Sequence, residues 1–137
     1  MKTLEIHSQE DYDANKDFGG IFIIKAGLIM ASGNATVEAS GNATVMAWDN
    51  AIVRAWDTAT VEASGNTTVE ASGNATVRAR DNATVKASGN AAVEASGNAT
   101  VMASGDATVR ASGNATFRAS GNALGRRSTL TSKEGAR

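Results

Sequence analysis

Residues 31 to 126 decide the fold: Ala31-Ser-Gly-Asn-Ala-Thr-Val-Glu38 opens a run of twelve eight-residue units that closes with Ala119-Ser-Gly-Asn-Ala-Leu-Gly-Arg126. In most units the fifth residue is Ala, the sixth Thr, the seventh Val and the eighth charged or Met, and the next unit starts with Ala. A period of two along that stretch puts Ala, Val and Ala on one face and Thr and the charge on the other, as a half-buried strand requires. Ser-Gly-Asn then supplies residues that tolerate tight turns and left-handed backbone. Each octad reads as about five residues of strand and about three of corner. A helix fits poorly, because β-branched Thr and Val recur throughout, Gly interrupts most units, and eight residues do not match a period of about 3.6.

The eighth position tests how many octads make one coil, since parallel strands in register set equivalent outward side chains side by side. At a separation of sixteen the row pairs Glu38 with Arg54, Arg54 with Glu70, Glu70 with Lys86, Glu62 with Arg78, Arg78 with Glu94 and Glu94 with Arg110, against one like pair, Arg110 with Arg126. At twenty-four, like pairs outnumber opposite ones, although Trp56 would there meet Arg80. The expected fold is an all-β solenoid, a parallel β-helix or β-roll of two sheets with about sixteen residues per coil. Twelve octads give about six coils and a rod near 29 Å long. Its core is thin, centred on the seventh-position Val ladder that includes Val45, Val61, Val77, Val93 and Val109. Asn at the fourth position is expected to stack into amide ladders at the corners. Trp48-Asp49, Trp56-Asp57 and Arg80-Asp81 replace the usual Ser-Gly pair together, which suggests a second corner conformation.

Residues 1 to 30 differ in kind. Lys2 to Ile6 reads as a short strand, Ser8 and Asp11 have the spacing of a helix start, and a helix over about 9 to 18 would end at Gly19-Gly20. Ile21 to Lys25 reads as a second strand, and Ile29 falls on the seventh position of the octads. The expectation is a strand-helix-strand cap over 1–30, anchored by Tyr12 and Phe18, then the solenoid over 31–126 and a polar basic tail over 127–137. Carrying the octad frame back makes Phe22, Ile24, Leu28 and Met30 outward. With Met46, Trp48, Ile52, Trp56 and Arg80, the outward Met30 forms a candidate partner or dimer patch, since Trp, Met and Arg are enriched at interfaces.

Composition offers little chemistry. The 137 residues carry a formal net charge of −1, no Cys, no Pro and one His. His7 stands alone, so neither a metal site nor a His-based acid–base mechanism is expected, and no catalytic residue or cofactor is assigned. Interleaved signs leave no basic footprint for nucleic acid. No apolar run approaches the length of about 20 residues that crosses a membrane, and the start lacks a signal peptide's apolar core, which together imply a cytoplasmic protein. Asn-Ala-Thr sequons at several fourth positions follow from the repeat. Thr36, Thr68, Thr84, Thr100 and Thr116 would stack on one sheet, but a charged row beside a single Thr row matches ice badly, so ice binding is the least favoured reading.

The octads ASGNATVEASGNATVMAWDNAIVRAWDTATVEA (residues 31 to 63) resemble repeats in short bacterial and phage proteins of uncharacterised function, and the segment LEIHSQEDYD…GGIFII resembles the start of such proteins. The resemblance implies a β-solenoid accessory protein carried by a phage or other mobile element, with no established site residues. The apolar patch of the first coils and the outer charge rows favour a non-enzymatic, self-associating interaction module with a protein partner, which in the phage setting would be a host or defence protein. The alternative is a structural spacer or fibre element whose coils continue from one molecule to the next.

Overall fold

In the computed structural model, which describes residues 2–127, alternating small and branched residues form short strands wound into one solenoid. Strand β1 (Thr3–Ile6), helix α1 (Gln9–Ala14), β2 (Ile21–Ile24) and β3 (Leu28–Ala31) come first. Twelve four-residue strands follow, each starting eight residues after the last, from β4 (Thr36–Ala39) to β15 (Leu124–Arg127). Strand β1 and the even-numbered strands build an eight-stranded parallel sheet in the order β1-β2-β4 through β14, while the other odd-numbered strands, β3 through β15, build a seven-stranded one. From β3 onward partners lie sixteen residues apart, as in Val85↔Val69 and Val93↔Val77. Two sheets at sixteen residues per coil exclude the three-sided alternative.

There are about eight coils rather than six, because the segment read as a separate cap supplies strands of its own. β1 pairs with β2, and β2 with β4, so they extend the larger sheet, while β3 extends the smaller by pairing with β5. Eight strands span about 34 Å at the usual strand spacing. Among the described residues α1 alone behaves as a cap, packing against β3. It is shorter than the expected 9–18 span, and Ser8 caps it by accepting a hydrogen bond from Asp11 N–H at 3.1 Å. The 128–137 part of the tail lies outside the described residues.

The β2 assignment needs one correction. Phe22 and Ile24 are buried and point inward, while Ile21 and Ile23 face out. The cause is a corner of three residues, Lys25-Ala26-Gly27, where later corners have four; Ile21 therefore pairs with Thr36, fifteen residues on. A one-residue offset exchanges the two faces of a strand. Inward Phe22 gives Tyr12 and Phe18 something to pack on, with ring centroids 4.8 and 5.7 Å away.

The core is the thin Ala-Val-Ala layer that the repeat implies. Val45, Val61, Val77, Val93 and Val109 line the seven-stranded sheet at no more than 2 % exposure, opposite an equivalent Val row from the other sheet. Burying each Val contributes about 1.5–3 kcal/mol. Thr67 replaces a buried Ala, and its hydroxyl is satisfied by donating to Ser64 O at 2.7 Å. The outward rows carry the charge pattern, and four of the six opposite pairs close: Arg54 lies 3.9 Å from Glu38 and 3.5 Å from Glu70, and Arg78 lies 3.9 Å from Glu62 and 3.6 Å from Glu94. These exposed pairs contribute about 0.2–1 kcal/mol each and favour the sixteen-residue register over its competitors.

Candidate functional site

Corners decide where bulky side chains leave the rod, and their backbone is more uniform than the sequence suggests. Ala75 N–H bonds to Ser72 O at 3.2 Å to close the turn, and Asn74 N–H bonds to Asp57 O in the preceding coil at 2.8 Å. The third turn position has positive φ throughout: 61° at Gly73, and likewise 62°, 57° and 57° at Asp49, Asp57 and Asp81. The Asp corners are thus not a second conformation. Asp tolerates left-handed backbone better than most residues, and its carboxylate gains a bond that Gly lacks. Asp49, Asp57 and Asp81 each accept from the backbone N–H sixteen residues earlier, of Gly33, Gly41 and Gly65, at 3.0–3.1 Å. The expected amide ladders do not form: among the described residues no corner Asn side chain bonds to the next Asn, since these exposed amides are solvated and the backbone already links the coils. The hydroxyl of Thr58 does reach Asn42 Oδ1, at 2.7 Å.

The expected patch residues form a collar around the first coils rather than one face. Met30 and Met46 are register neighbours on the outer side of the seven-stranded sheet, and Leu28 stands in the adjoining row. Ile52 projects from the opposite sheet, next to Thr36. Trp48 follows β5 and Trp56 follows β6, so they occupy opposite edges of the rod. Arg80 shares the Trp48 edge, two coils further on. Each Trp has about a third of its surface exposed.

Small Ser residues at the second corner position leave a shallow groove along each outer face. One, of about 570 Å³, starts at Trp56 and runs past Arg54, Glu70, Lys86 and Met102. The other, of about 600 Å³, starts at Arg80 and runs past Arg78, Glu94, Arg110 and Arg126. Side chains that replace Ser therefore act as end walls. Ile52 interrupts the Thr row of the larger sheet, which leaves it less like a regular hydroxyl lattice.

At the N-terminal end, Gln9 does what sequence reading missed. Its carboxamide accepts from Met30 N–H at 2.7 Å and donates to Met30 O at 3.2 Å, taking the place of a neighbouring strand's peptide group. Tyr12 Oη accepts from Ser32 N–H at 3.3 Å. A lone Gln carries no pattern that announces such a role, whereas the Asp bonds had a signal in the joint Trp-Asp and Arg-Asp replacements. His7 is exposed, 3.9 Å from Glu5. Among the described residues no group of three His, Asp or Glu side chains is placed to hold a metal ion, and no helix is long and apolar enough to cross a membrane.

No family model, no curated protein and no solved structure matches this chain.

Proposed function

We propose that this chain is a non-enzymatic interaction protein, a rigid solenoid that self-associates and binds a protein partner through the outward apolar side chains of its first coils. The observation that carries the reading is where the exposed large apolar residues fall. Five of the seven exposed large apolar residues among the described ones, Leu28, Met30, Trp48, Ile52 and Trp56, lie within three coils, at positions where the repeat elsewhere has Thr, Ser or a charge, while Met102 and Leu124 fall further along. Folding does not need them there, because Ser and Thr fill the same positions in other coils. Desolvating such side chains against a partner is favourable, and Trp and Met are common interface anchors. The Met30–Met46 row suits a two-fold seam, and the two Trp edges are free for another protein. Likeness to repeats of phage proteins supports an accessory role directed at a host protein.

The test is solution mass by light scattering at several concentrations, for wild type and for Trp48→Ser combined with Trp56→Ser. Ser is the common residue at both positions, so the fold survives. A discrete dimer that the double variant converts to monomer, or partner affinity lost on the same change, supports the reading. One observation favours a spacer or fibre instead: among the described residues, no strand pairs with the outer edges of β1, β14 and β15. Such edges can join molecules end to end. A concentration-dependent ladder of masses, indifferent to the Trp changes, would select that second reading.

A further inference from the structure

Several departures from the repeat converge on the outer face of the seven-stranded sheet, far from the apolar collar. The eighth-position row alternates in sign through Glu62, Arg78, Glu94 and Arg110, and then places Arg126 beside Arg110 in register. Like charges in adjacent strands cost stability, so the fold itself does not ask for this Arg. Arg78 is held by Glu62 and Glu94, whereas among the described residues no carboxylate lies within ion-pair distance of Arg80, Arg110 or Arg126. In the sixth-position row of the same face, Ala92 stands where Thr is usual, between Thr76 and Thr108. A hollow of about 370 Å³ runs from Ala92 across Thr108 to Leu124, itself 70 % exposed, with Glu94 at its Ala92 end and Arg110 and Arg126 along the rest of its border. Two guanidiniums that no described carboxylate pairs with thus adjoin a mostly apolar recess.

We propose that this face docks an extended acidic peptide segment of a protein partner, in which a carboxylate bridges Arg110 and Arg126 and an apolar side chain two residues before it enters the hollow at its Leu124 end. The spacing fits. Arg110 and Arg126 stand on adjacent strands about 4.8 Å apart, so one carboxylate can reach both guanidiniums, and Leu124 precedes Arg126 by two residues on β15, about 6.6 Å, the same-side repeat of an extended peptide. Glu62 and Glu94 stand in the same row and repel a continuous phosphate backbone, so charge complementarity favours a discrete carboxylate over nucleic acid.

The experiment is fluorescence anisotropy of the full chain with a fluorescein-labelled peptide Gly-Ser-Leu-Thr-Glu-Ser-Gly at low ionic strength. Arg126→Glu and Leu124→Thr both restore the repeat, so both fold, as circular dichroism verifies. The expected result is saturable binding by wild type, weakened about tenfold by Arg126→Glu and about threefold by Leu124→Thr, with little binding of the Glu-to-Gln peptide. The Trp48→Ser and Trp56→Ser pair leaves this binding unchanged, which separates the site from the apolar collar. Absence of saturable binding to wild type, or binding indifferent to Arg126→Glu, overturns the proposal. A labelled oligothymidylate that binds more tightly than the peptide and is lost in Arg126→Glu overturns it too, in favour of nucleic acid.

Discussion

Phe117 and Gly125 fill one slot between them. Phe117 takes a Val position on β14, Gly125 takes a Val position on β15 as the register neighbour of Val109, and a Cβ placed on Gly125 would overlap the Phe117 ring. The decay of the repeat at its C-terminal end is therefore a large-for-small exchange across the core, and β15 keeps its register. Gly125→Val should destabilise the protein by about 1–3 kcal/mol through overpacking. Adding Phe117→Val should recover most of that loss. A double-mutant cycle by urea denaturation checks this, and additive costs would show that the two residues do not share the space.

The Asp corners make a graded prediction. Asp57→Gly keeps the left-handed backbone and loses the bond to Gly41 N–H, at a cost of about 0.5–1.5 kcal/mol. Asp57→Ala loses the same bond and must also hold a non-Gly residue at a φ of 57°, which adds about 1 kcal/mol or more. Thermal unfolding of the two variants should rank Ala below Gly, the reverse of their order in a helix.

Gln9 is the edge cap of the seven-stranded sheet. Gln9→Ala exposes both Met30 backbone groups and should cost about 1–2 kcal/mol. Gln9→Glu keeps the acceptor for Met30 N–H but turns an oxygen toward Met30 O, and should cost at least as much. Hydrogen exchange provides the local readout: the Met30 amide should lose protection in both variants while the Val77 amide retains it, and uniform acceleration would mean global unfolding instead.

Coil number has a parity. Deleting 63–78 removes one coil and should shorten the rod by about 4.8 Å with the register intact. It also sets Glu62 beside Glu94 and Arg54 beside Lys86, two like contacts made from four opposite ones. Adding Glu62→Arg and Lys86→Glu to the deletion should regain about 0.2–1 kcal/mol per repaired contact. Small-angle scattering gives the length and urea titration the stability. Equal stability of the two deletion variants would show that the outer rows contribute nothing.

Much of this fold was legible because one octad, repeated, carries its strand pattern, its corner and its register together. Alternation gave the inward Val row, and the signs at position eight gave sixteen residues per coil. What escaped was set by single residues outside the pattern. The three-residue corner at Lys25–Gly27 turned Phe22 and Ile24 inward, and nothing in Lys-Ala-Gly distinguishes three corner residues from four. The Asp corners looked different in sequence, yet kept one backbone, because left-handed φ is open to Asp as well as Gly. The patch residues were correctly expected to face outward, but linear proximity hid their division between two faces and two edges.

The backward reach of the corner bonds has a consequence for how the chain acquires its shape. Asn74 bonds to Asp57, Asp57 to Gly41, and every later corner likewise to residues sixteen or seventeen places earlier. Each turn of the coil therefore finds its partners already synthesised, and the first of them rests on Gln9 and Tyr12. Earlier coils are thus the template for later ones, and growth along the rod is vectorial: a chain emerging in order can wind each new coil onto the one before it without waiting for those still to come.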